Sequence, residues 1–154
     1  MTAIRRAVAA LSLSAIGLLG IADFEGFRGE AYIPVEGDVL TIGFGSTTGV
    51  MEGDRVSVTD ALHRLDADTK AAQDAVRRCV KVPLTQSEFD AYTSLAFNIG
   101  GARFCSSTLV KKANARDYAG ACSELKRWVY CGGQRLAGLE RRREKEYQMC
   151  ISEH

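Results

Sequence analysis

Four side chains in the first third of the chain have the types and spacing to act on one bond. Glu25 follows a charge-free stretch, Ala7 to Ala22, and Asp23. Glu36, Asp38 and Thr41 lie in and after a Gly-punctuated turn downstream. One carboxylic acid set against a second polar group is the requirement of glycoside hydrolysis. The acid protonates the leaving oxygen, and the second group handles water or the developing positive charge. The acid must keep its proton near neutral pH, which calls for apolar surroundings or a neighbouring negative charge. Ile21, Phe24 and Phe27 flank Glu25 and could dehydrate it. Spacing alone does not separate this reading from four solvated polar side chains.

The elements that must position these groups are readable in outline. Between Gly29 and Gly53, breaks at Pro34, Gly37, Gly43, Gly45 and Gly49 divide short β-leaning runs, Ala31-Tyr32-Ile33 and Val39-Leu40-Thr41-Ile42. Glu36-Gly37-Asp38 supplies the turn, so a small hairpin or three-stranded sheet is expected. From Ser57 the pattern turns helical. Ser57 to Asp60 is a capping signature, and Leu62, Leu65, Ala72, Val76 and Val80 recur at helical spacing until Pro83. Thr85-Gln86-Ser87-Glu88 opens a second helix that Gly100-Gly101 ends. Further helices are expected near Ser107–Asn114, Tyr118–Tyr130 and Leu139–Ile151. The fold class is therefore α+β, a small β lobe with a larger helical lobe, and a cleft between such lobes is a natural ligand site.

The N-terminal segment has its own logic. Arg5 and Arg6 precede the apolar run, and basic residues there favour sending the rest of the chain outward. A stable span needs about 20 strongly apolar residues, and this run is shorter and rich in Ala, Ser and Gly. Three fates compete. A cleaved signal peptide cut after Gly20-Ile21-Ala22 leaves Glu25 without a helix to hold it, and a permanent anchor wants more Leu and Ile. The preferred reading is an uncleaved, weak anchor that can leave the bilayer and pack onto the soluble part. A core helix of a cytosolic protein is the bland alternative, and the arginine pair and the cysteines count against it. The expected division is 1–22 as the anchor segment and 23–154 as one catalytic domain.

Composition narrows the class further. The 154 residues are 46% hydrophobic and 25% charged, with a net charge of +1, so nothing general attracts nucleic acid. Five cysteines after an export-type segment read as two disulfides and an odd thiol, with pairing open. His63 and His154 are isolated, which argues against a zinc site.

Phe24-Glu25-Gly26-Phe27-Arg28, Ala31-Tyr32 and Thr41-Ile42-Gly43-Phe44-Gly45 resemble the active-site signature of the phage-type lysozymes, endolysins of glycoside hydrolase family 24. The resemblance continues through Val82-Pro83-Leu84-Thr85-Gln86, Phe97-Asn98-Ile99-Gly100, Ser107-Thr108-Leu109, Arg127-Trp128 and Gly138 to Arg143. It covers nearly everything from Asp23 to Tyr147, and the N-terminus is similar to the signal-anchor-release subgroup. The resemblance implies a lysozyme-like fold and cleavage of the β-1,4 bond between N-acetylmuramic acid and N-acetylglucosamine in peptidoglycan. It also implies inversion at the anomeric carbon and no cofactor. Glu25 matches the family's general acid, Thr41 the threonine that helps hold the water, and Asn98 a position lining the sugar cleft (a helix C-cap is the equal alternative). The family aspartate falls at Pro34 here, which cannot serve, and the loop is one residue longer. Asp38 is the chosen replacement, Glu36 its rival, and a third option is that neither acts. The resemblance also implies pairs Cys79–Cys105 and Cys122–Cys150, with Cys131 left over.

These readings imply a monomer tethered to the host inner membrane on its periplasmic face, then released into the periplasm. No cysteine lies within residues 1–25. Release therefore cannot work by a thiol leaving that segment to re-pair disulfides, and a geometric route remains. Two rivals stand: a lytic transglycosylase-like enzyme using Glu25 alone, and a non-catalytic, membrane-tethered wall-binding protein. Trp128 and Tyr130 read mainly as buried aromatics on an amphipathic helix. The Arg141-Arg142-Arg143 run reads as a solvated, salt-bridged face.

Overall fold

The computed structural model describes residues 3–154. Two compact units are resolved: the residues up to Gly17 together with Ala71–His154, and Leu18–Lys70.

In the smaller unit, most of helix α1 (Ala15–Glu25) leads into an antiparallel pair, β1 (Arg28–Tyr32) and β2 (Thr41–Gly43). Arg28 pairs with Gly43 and Tyr32 with Thr41, with an irregularity between. A single bridge from Glu30 to Arg55 adds the rudiment of a third strand. Helix α2 (Val58–Asp68) starts where expected, because the Ser57 side chain accepts from the Asp60 N–H. It packs closely on β2: a Cβ at Gly43 (φ +65°) would lie 2.8 Å from Ala61 Cβ.

The single helix expected from Ser57 to Pro83 is two helices. Thr69 interrupts it by donating its hydroxyl to Asp66 O at 2.7 Å, the carbonyl that the next helical N–H would use. Helix α3 (Lys70–Cys79) then stops short of Pro83, because Asn114 caps its exit. The Asn114 side chain accepts from Lys81 N–H and donates to Cys79 O.

The larger unit is built on α4 (Gln86–Ile99). The Thr85–Glu88 capping box is formed at its start, and Gly100, at φ +91°, ends it. Around it lie α5 (Gly101–Cys105), α6 (Thr108–Asn114), α7 (Tyr118–Glu124) and α8 (Ala137–Ile151). Leu11, Val76, Phe89, Tyr92, Leu95 and Phe104 belong to one buried core. Disulfides Cys79–Cys105 and Cys122–Cys150 tie α3 to α5 and α7 to α8, and Cys131 is exposed and unpaired.

Two helical expectations fail in this unit. The helix expected to reach Tyr130 ends at Glu124, apart from a 3-10 turn at Leu125–Arg127. Tyr130–Cys131 and Gln134–Arg135 instead form a hairpin, β3–β4. Gly132 and Gly133 both take positive φ, the two-residue turn that matches strand twist. Tyr130 is accordingly 61% exposed rather than buried. Conversely, Arg142 and Arg143 are buried, not solvated, because Glu146 pairs with both.

The N-terminal segment is not one helix. Val8–Ala10 forms a 3-10 turn, Leu11 is extended, and the helix proper starts only at Ala15. Ser14 Oγ accepts the Gly17 N–H there, in the manner of a cap. Among the described residues no helix is long and apolar enough to cross a membrane.

Candidate active site

Glu25 is the last residue of α1. The Gly26 N–H closes the helix on Ala22 O at 3.1 Å, and Gly26, at φ +73°, turns the chain into β1. Ile21 and Ala22, about one turn before it, are buried, but Glu25 itself is exposed. The expected dehydration by the preceding apolar run is therefore not found. That run buries its own side chains one turn earlier and leaves the carboxylate beyond the edge of the apolar surface. Phe27 packs its ring on Phe44 at 5.4 Å, joining the segment after Glu25 to the turn after β2.

That turn is shaped around the acid. Ile42 and Ser46 exchange backbone hydrogen bonds, and Gly45 between them takes φ +93°. A Cβ on Gly45 would stand 3.9 Å from Glu25 Oε2. Gly45 therefore supplies a left-handed turn residue, and a Cβ there would be in van der Waals contact with the carboxylate.

Thr41 begins β2 and is buried. Its hydroxyl donates to Val39 O at 3.1 Å. The hydroxyl proton is thereby committed, and the oxygen is left with lone pairs to accept from a water.

Upstream, Val35 to Asp38 form a tight turn, with the Asp38 N–H on Val35 O at 2.9 Å and Gly37 at φ +90°. Glu36 and Asp38 are both exposed there. Glu25, Glu36, Asp38 and Thr41 all fall within the unit Leu18–Lys70.

Asn98 lies in the other unit, in the last turn of α4 and two residues before its C-cap, Gly100. Its Oδ1 accepts a hydrogen bond from Arg143 Nη2. Arg143 also donates to Trp128 O at 2.9 Å and pairs with Glu146 at 2.5 Å, while Ser94 Oγ donates to Glu146 at 2.6 Å. Burial pulls the Arg143 guanidinium below its ordinary value, with Glu146 opposing. Asn98, Trp128, Tyr130, Arg103 and Arg143 line a pocket of about 360 Å³ in this unit. Among the described residues no cluster of His, Cys, Asp or Glu is arranged to hold a metal ion.

Residues 22–146 match the family model described as phage lysozyme. The chain belongs to the phage lysozyme family. It is similar to the SAR-endolysin of Escherichia phage Mu, 42% identical over 118 residues, covering 75% of this chain and 69% of that one. It is also similar to the SAR-endolysin of Enterobacteria phage P21, at 31% over 157 residues, covering 96% and 95%. A variant of P22 lysozyme shares the fold with a TM-score of 0.86 at 29% identity, covering 92% of this chain and 99% of that one.

As a phage lysozyme the chain is a glycosidase with the lysozyme-like fold, a helical lobe and a small antiparallel sheet. Two features of this lysozyme escaped sequence reasoning. Gly45 sits in the quoted signature, but only coordinates reveal that it borders Glu25. The hold of Arg143 on Asn98 had a faint signal, an Arg three residues before a Glu on an otherwise charged helix.

Proposed function

We propose that this chain is an endolysin muramidase in which Glu25 is the general acid and Asp38, with Thr41, handles the attacking water. Glu25 gives its proton to the bridging oxygen as the bond from that oxygen to the anomeric carbon breaks. Water attacks the opposite face of the sugar, its oxygen forming the new bond, and its proton passes to Asp38 and then to solvent. Glu25 is reprotonated from solvent, and the configuration inverts. Thr41 accepts a hydrogen bond from the same water, because its own proton is committed to Val39 O. Glu36 is the alternative base from the same turn.

The observation that carries this reading is the approach of the Gly45 turn to the Glu25 carboxylate, within a unit that also holds Thr41 and Asp38. Digestion of purified cell walls by the Glu25→Gln variant tests it. The amide cannot donate the proton, so the walls should stay turbid.

The substrate is peptidoglycan. We further propose that residues 7–22 carry the enzyme to the periplasm, hold it at the inner membrane, and then leave the bilayer. The continuity of α1 supports an uncleaved segment: a cut after Ala22 would sever the helix that ends in Glu25. Periplasmic fractions should then contain a chain of full length, which N-terminal sequencing checks.

A further inference from the structure

Several apolar side chains of the N-terminal segment gain little from their place in this structure. Ile4 is 75% exposed, Ile16 74% and Leu19 55%, and among the described residues before Leu18 only Leu11 and Gly17 are buried. Hydrophobic burial therefore holds this stretch at few points, Leu11 and Val8 ahead of Leu18 and Ile21 and Ala22 beyond it. Hydrogen bonds from α3 and α4 hold the part between. Gln73 accepts the Leu13 N–H at 3.0 Å, Gln86 donates to Ser12 O at 2.8 Å, and Arg77 donates to Leu11 O at 2.7 Å.

The strongest of these groupings is on Asp90. This residue is 3% exposed, and its carboxylate accepts the Ser14 N–H at 3.0 Å, the Ser14 hydroxyl, and Gln86 Nε2 at 2.9 Å. Ser14 Oγ in turn accepts the Gly17 N–H at 3.0 Å. Asp90 thus fixes the residue that starts α1. Contact there is close: a Cβ on Gly17 would come within 2.7 Å of Asp90 Cγ. Gly17 lets the helix backbone lie directly on the carboxylate.

We propose that Asp90 is a positioning residue for Glu25, acting through Ser14 and the axis of α1. The inference rests on Glu25 being the general acid. Ser14 caps the helix, and Glu25 ends it after Ala15–Glu25. At 1.5 Å per residue that lever is about 15 Å long, so a tilt of about 5° at the first turn moves the far end by about 1.3 Å. Displacements of that size at a catalytic group cost about a hundredfold in rate at most.

The test compares kcat, KM and the urea midpoint of purified full-length enzyme on dye-labelled sacculi. The variants are Ser14→Ala, Ser14→Thr, Asp90→Leu, Ser14→Ala/Asp90→Leu and Glu25→Gln. Ser14→Ala removes one hydroxyl from a half-buried site, so it folds even if Asp90→Leu does not. The expected result is a fall in kcat of about tenfold for Ser14→Ala, inside that positional limit. KM stays near the parent value, the urea midpoint falls only by what a lost helix cap costs, Ser14→Thr restores both kcat and the midpoint, and the double variant is no slower than Asp90→Leu. Parent kcat in Ser14→Ala overturns the proposal, as does a fall that Ser14→Thr does not rescue, or one that appears only in KM. If Glu25→Gln is dead while Ser14→Ala is normal, only the positioning role is lost. An active Glu25→Gln removes the reading beneath it as well.

Discussion

Gly45 stands against Glu25, so close that a side chain there would begin 3.9 Å from the carboxylate oxygen Oε2. The turn carrying Gly45 is tied to β2 by the mutual hydrogen bonds of Ile42 and Ser46, at 2.9 and 3.0 Å. The acid is thus bordered by backbone on the side of the sheet.

Two variants read this relationship separately. Glu25→Gln keeps shape and loses the proton, and wall-clearing rate should fall by about two to four orders of magnitude. Gly45→Ala keeps the proton but forces a side chain into φ +93° beside it. Its rate should fall by about tenfold, with a stability loss of about 1–2 kcal/mol. Equal rates for the alanine variant and the parent would mean that the space beside Glu25 is not used.

The turn from Val35 to Asp38 holds two exposed carboxylates, Glu36 and Asp38, and substitutions there separate three options. Asp38→Asn should lower the rate by about a hundredfold and Glu36→Gln by less than about twofold. The reverse order would move the base to Glu36. Thr41→Ser should stay near the parent, whereas Thr41→Val should lose about tenfold, because only the hydroxyl accepts from water. Mass spectrometry of the products adds an independent check: a hydrolysed end carries one water more than an anhydro end.

Helix boundaries set by local chemistry were legible in the sequence. Ser57, Thr85 and Gly100 act within three or four residues of themselves, and each does what its type dictates. The break at Thr69 was not legible, because a threonine bonding back to its own helix looks the same as one facing solvent. Nor was the burial of Arg142 and Arg143. Their charge spacing on α8 was plain, but what covers them comes from α4, 52 residues away in the case of Ser94–Glu146. In the site, Glu25 and Thr41 stood out by motif, while the role of Gly45 depends on a turn whose shape no periodicity records.

The buried charges of α8 give a large stability effect. Glu146 is 1% exposed and answers both Arg142 and Arg143. Glu146→Gln takes away the carboxylate that two buried guanidinium groups share, and the unfolding free energy in urea should drop by about 3 kcal/mol or more. Because Arg143 also holds Asn98, the same variant should bind soluble peptidoglycan fragments more weakly, as fluorescence titration of Trp128 can measure.

Tyr92 carries the opposite sign. Its hydroxyl is buried and lacks a hydrogen-bond partner among the described residues. Burial pushes the phenol above its ordinary value, with the Glu88 charge adding to it. Tyr92→Phe removes the orphaned group and keeps the ring that packs on Phe104 at 6.2 Å. Stability should hold or rise by about 1 kcal/mol. A loss of that size would point to a water bonded to the hydroxyl.

Asp90 links the N-terminal segment to pH. Burial, the leading cause, raises its carboxyl above the ordinary 3.8, and the nearby Glu153 charge adds to this. Hydrogen bonds from Ser14 and Gln86 pull the other way without cancelling the rise. A carboxyl whose folded value exceeds its unfolded one favours folding when protonated. That contribution is complete below the ordinary value and is lost as pH climbs through the raised one. Asparagine at this position has no such titration. The stability of the parent relative to Asp90→Asn should therefore decline as pH rises from 3.8 through the raised value, then level off. Urea melts at half-unit steps would display the slope. A difference that grew with pH would mean that the Ser14 and Gln86 hydrogen bonds outweigh desolvation. Asp90 would then hold α1 more firmly as an anion.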